Sequence, residues 1–139
     1  MGGIKRCGYW DIETGAELRL FEGHGGLIKA VAVMADECRA LSGSEDKTLR
    51  LWDLKTGAEL RRFEGHTGWI RSIAVLADGR HALSGSDDRT LRLWEVETGA
   101  ELDRFVGDDV ITAITISPAG CQAVVGDKRG RVMAFSLPP

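Results

Sequence analysis

The chain has 139 residues, 43% of them hydrophobic and 28% charged, the composition of one folded domain and not of a disordered or fibrous chain. Its net charge is −3 and its lysines and arginines are interspersed with acids, so neither nucleic acid nor an anionic membrane finds a basic footprint. No apolar stretch is long enough to span a membrane, and the amino terminus lacks a signal-like apolar core.

In chain order the first expected elements are strands at 4–12 and 17–22, the second half of a repeating unit. Two full sets of four strands follow at 27–64 and 69–106, and a last set of three spans 110–137. Within the second full set, "WIRSIAVLA", "HALSGS", "TLRLWEV" and "ELDRF" are apolar or alternating runs, separated by "DGR", "DDR" and "ETGA". Such separators suit tight turns, and no run carries a sustained helical period. Trp10, Trp52 and Trp94 fall 42 residues apart, as do Gly15, Gly57 and Gly99. Four short strands repeated at this period describe an all-β, partial β-propeller of four-stranded antiparallel blades, about three and a half per chain.

Gly-His at 23–24 and 65–66, "SGSEDKTLRLWD" at 42–53 and "SGSDDRTLRLWE" at 84–95 make the chain resemble the WD-repeat family of propellers. The regularity of the repeats is similar to that of bacterial members, which are often joined to signalling NTPase or kinase modules. No nucleotide-binding or kinase motif accompanies them here. The resemblance implies a hydrogen-bonded relay in each blade: His24, Ser42 (or Ser44), Asp46 and Trp52 in one, His66, Ser84 (or Ser86), Asp88 and Trp94 in the next. A buried indole N–H and imidazole need partners, and a stranded partner costs about 1–3 kcal/mol. The third copy, "GDKRGRVMAF", replaces the set together, with Phe135, Arg129, Val125 and Gly107-Asp108 at the corresponding places.

Serine, histidine and aspartate also form hydrolase triads. A set that recurs once per blade reads as architecture, whereas an active site is built once, so no catalytic residue is expected. His81 reads as a solvated turn residue. Asp87-Asp88 and Asp108-Asp109 lack the alternating acids of a calcium loop, and no Cys/His spacing suits zinc, so neither a metal nor a cofactor is expected. Cys7, Cys38 and Cys121 form no CxxC pair and are odd in number. They read as small apolar residues without a disulfide framework, in a reducing cytoplasm.

Closed propellers have about 4–8 blades. The expectation is a symmetric homo-oligomer, a dimer giving roughly six blades by exchange of an amino-terminal strand, or else the carboxy-terminal part of a longer protein. The function expected is a non-catalytic scaffold that presents the blade-top loops to a protein or peptide. Its candidate residues are Leu27, Lys29, Trp69, Arg71, Glu45, Lys47, Asp87 and Arg89, with Trp69 foremost because tryptophan and arginine concentrate at hot spots. Trp69 could equally pack against the neighbouring blade. The alternative function is an enzyme or small-ligand binder that uses the central channel.

Overall fold

Alternation in the repeated segment "TLRLW" sends its leucines to one side of a strand and its arginine and tryptophan to the other. Leu49, Arg50, Leu51 and Trp52 are all buried, as are Leu91, Arg92 and Trp94, so a strand with this pattern must be covered on both faces. The computed structural model describes residues 24–34, 36, 38–117, 120 and 122–137, and shows how that covering is arranged. The half-unit expected at 4–22 lies outside the described residues.

Eleven strands form three antiparallel sheets, with no helix among the described residues. The first sheet is β1 (Ile28–Val33), β2 (Arg39–Ser44), β3 (Leu49–Asp53) and β4 (Glu59–Phe63), paired in sequence order. The second repeats it with β5 (Ile70–Val75), β6 (His81–Ser86), β7 (Thr90–Glu95) and β8 (Glu101–Val106). The third has β9 (Ile111–Ile116), β10 (Gln122–Asp127) and β11 (Val132–Ser136). The arrangement is an open propeller of about three blades, stacked face to face.

Two apolar cores hold the stack, one per junction. Between the first and second blades, Leu41, Leu49 and Leu51 meet Ile70, Ile73 and Trp94. Phe63, from the outer strand of the first blade, meets the Trp94 indole edge-on at 5.7 Å. Between the second and third blades, Leu83 and Leu91 meet Ile111, Ala123 and Val125. Phe105 there meets Phe135 at 5.0 Å, so Phe135 takes the tryptophan's place in the packing.

The register also repeats an irregularity at the head of each inner strand. The pairing of β1 with β2 slips between Ile28 and Ala30, and that of β5 with β6 between Ile70 and Ser72. Lys29 and Arg71 are the extra residues of these bulges, a device that re-aims side chains. One sequence expectation is overturned: Cys38 is disulfide-bonded, so it is not a bystander thiol, and the cysteine argument for a reducing compartment falls with it. Cys7 and Cys121 lie outside the described residues.

Candidate functional site

The first set of candidate residues converges on one face of each of two blades. In the second blade the Trp94 indole N–H donates to Ser84 Oγ at 2.8 Å, and Ser84 Oγ lies 2.6 Å from His66 Nε2. His66 Nδ1 lies 2.8 Å from Asp88 Oδ2. The first blade repeats these distances through Trp52, Ser42, His24 and Asp46. Ser44 and Ser86 stand apart from the chain: each hydroxyl accepts the backbone N–H of Asp46 or Asp88 at 3.1 Å, which shapes the turn.

One proton order satisfies every member. The indole donates to serine, serine donates to a neutral imidazole, and the imidazole N–H donates to the carboxylate. Burial pushes the His66 pKa down against the pull of Asp88, in keeping with a neutral ring. Burial raises the Asp88 carboxyl, yet hydrogen bonds from Thr90 and His66 outweigh it and hold the group at about 2. Burial likewise raises Asp46, and bonds from Thr48 and His24 take it well below the usual carboxylate range.

The Ser–His–Asp connectivity equals that of a hydrolase triad, but the surroundings differ. Ser84 is 0% exposed and its oxygen already accepts the indole N–H. No electrophile reaches such an oxygen without opening the blade junction.

The network extends to residues that the sequence reading missed. Thr48 and Thr90 donate to the second oxygen of Asp46 and Asp88 at 2.6 and 2.5 Å. Arg92, buried in mid-strand, reaches Asp88 at 3.5 Å and Glu101 across the sheet at 2.9 Å. Arg50 does the same with Asp46 and Glu59. The available signal was the charge itself: an arginine between two leucines, with a glutamate nine residues on, repeats in both copies. His81 starts a strand as expected, β6, but is half-buried with Nδ1 2.5 Å from Asp78 instead of standing free in solvent.

In the third blade Val125 is fully buried at the serine position, which its register opposite Met133 matches to Ser84 opposite Arg92. An ion-pair set takes over the turn, with Arg131 2.9 Å from Asp127 and 3.1 Å from Asp108. Arg129 sits 3.6 Å from Asp109. Here Asp127 accepts the backbone N–H of Arg129, the turn-shaping role that Ser86 has in the second blade.

The second group of candidates sits at the heads of β1 and β5, around the bulges, and on the turns after β2 and β6. Trp69 is 38% exposed, with the Arg71 guanidinium 5.2 Å and the Lys29 ammonium 5.1 Å from the centre of its ring. Arg71 belongs to the tryptophan's own blade and Lys29 to the neighbouring one, so the indole is both junction packing and surface. Each cation has its own acid: Arg71 donates to both oxygens of Asp87 at 2.6 and 3.1 Å, and Lys29 lies 3.2 Å from Glu45. Leu27 is exposed at the register of Trp69 in the first blade: the Leu27 carbonyl accepts from Glu45 N–H as that of Trp69 accepts from Asp87 N–H. Lys47 and Arg89 are exposed on the following turns, in the left-handed region with φ of 74° and 71°. The third blade has Gly130 in the equivalent turn. Among the described residues, no group of three His, Cys, Asp or Glu could hold a metal ion.

Comparison with protein families finds the WD domain, G-beta repeat, at residues 15–53 and 57–95, more than half of the chain. No curated protein matches it.

Proposed function

Since the chain belongs to the WD domain, G-beta repeat family, whose members generally act by binding other proteins and not by catalysis, we propose that it is a non-catalytic platform holding a protein segment on Trp69. The observation that carries this reading is the Trp69 ring between Arg71 and Lys29. Bulges raise both cations to the rim, and their pairing with Asp87 and Glu45 holds them in place. A ring fixed in this way loses little freedom on binding, which favours it as an anchor. Leu27 is the exposed counterpart of Trp69 in the first blade, and Lys47 and Arg89 are exposed cations on the turns of the two blades. The reading includes a second copy of the chain as one partner, which completes the ring on which the platform stands.

Burial of Ser84 argues against chemistry at the second blade's His–Ser–Asp set, and the repetition of the relay argues against it at both. Selection of peptides from a random displayed library against the whole chain tests the platform. Selected peptides should bind Trp69→Ala and Arg71→Ala at least about tenfold more weakly, a loss of some 1.4 kcal/mol, while the thermal midpoint stays near that of the unsubstituted chain. Equal binding by the variants, or unfolding of Trp69→Ala, would assign Trp69 to junction packing instead.

A further inference from the structure

Each junction inside the stack is built from one isoleucine and one glycine. A Cβ placed on Gly43 would lie 2.4 Å from Ile70 Cγ2 and 3.0 Å from Ile73 Cδ1. A Cβ on Gly85 would lie 2.4 Å from Ile111 Cγ2. Neither glycine has a left-handed φ, so what requires them is the isoleucine of the next blade, joined at Gly85 by Ser72 Oγ at 2.8 Å. Both isoleucines are 0% exposed.

Among the described residues, one half of this device is left over at each end of the stack. Ile28 opens β1 as Ile70 opens β5, beside the same register slip, yet it is 46% exposed. Val31, opposite Ser42 as Ile73 is opposite Ser84, is exposed with it. At the other end Gly126 pairs with Ala113 as Gly43 pairs with Ala30, and it too has no left-handed φ. A Cβ on Gly126 would meet nothing nearer than 4.0 Å, and the atoms at that distance belong to its own blade. The adjacent Val132 is exposed, whereas Leu49 and Leu91 at its register are buried.

We propose that Ile28 of one copy seats on Gly126 of a second copy, head to tail, so that two such seams close two open stacks into one ring. This rests on the reading of a second copy as partner and gives it an address. The occupant is argued from shape: the stack ends in the knob and the hollow of the very junction it makes twice internally. Val124, Val132 and Ala134 stand at the register of Leu83, Leu91 and Leu93, so the seam buries less apolar surface than the internal junctions and is the first to part.

Native mass spectrometry of the whole chain at micromolar concentration tests this. The unsubstituted chain should be a dimer. Gly126→Val has room within its own blade but blocks Ile28, so it should give folded monomers, with self-association weaker by about tenfold or more. Ile28→Asp should do the same from the opposite end. A mixture of the two variants keeps one intact seam and should yield a one-to-one heterodimer. A dimer indifferent to both substitutions, or a mixture without heterodimer, would overturn the Ile28–Gly126 pairing while leaving the second-copy reading standing. A monomeric unsubstituted chain would overturn both.

Discussion

Ser72 is the one buried side chain among the described residues whose oxygen has no hydrogen-bond partner. It sits on β5 opposite Gly85, and the equivalent places opposite Gly43 and Gly126 are held by Ala30 and Ala113. Two of three blades thus show that this backbone accepts alanine. A buried hydroxyl without a partner costs about 1–3 kcal/mol, so Ser72→Ala should stabilise the chain by about 1 kcal/mol, read as a rise in the chemical-denaturation midpoint. A fall would mean that the hydroxyl has a partner in solution. Nothing in the sequence marked this residue, because a serine in "WIRSIAV" reads equally well as a solvent-facing position on an alternating strand. By contrast His66, Asp88 and Trp94 could be read as a group, since their intervals recur at His24, Asp46 and Trp52.

At the scale of the blade, the relay, its threonine and its arginine act as one unit, and their protons tie stability to pH. His66 has a folded pKa below its usual 6.5, so the unfolded chain takes up a proton that the folded chain refuses. Stability therefore begins to fall as pH drops through about 6.5. Asp88 is held at about 2 against an ordinary 3.8, so its contribution is complete above 3.8 and is lost as pH falls toward 2. Both act in the same direction. The thermal midpoint should decline below pH 6.5 and decline more steeply below about pH 4, and a midpoint level between pH 7 and 5 would contradict a buried neutral His66. The third blade shows why the unit is replaced together: Val125 and Phe135 ask for no polar partner, and Arg131 with Asp127 and Asp108 rebuilds the turn from charges. That rebuilding was hidden in the sequence, because "GDKRGR" shows which residues were lost but not which new pairs form across the turn. Arg50 and Arg92 were missed for a related reason: their acids, Glu59 and Glu101, sit on the adjacent strand.

For the whole molecule, the 42-residue period was enough to give blades, strand order and turns, since each rests on local pattern. Which faces stay open was not legible, because Ile28 and Ile70 look alike in sequence and only their exposure, 46% against 0%, tells them apart. The same holds for Gly126 beside Gly43. Among the described residues, three stacked blades end in an unfilled knob on one side and an unfilled hollow on the other, and on the proposed pairing a second copy would fill both. Trp69 and its two cations lie at the first internal junction, with Lys29 directly following the seam residue Ile28, so the platform appears once per copy and twice per closed ring. Face-on views of the intact chain by electron microscopy test this account most directly. Closed rings of six blades are expected, each with two diametrically placed seams, whereas isolated three-blade arcs or rings with any other number of blades would contradict it.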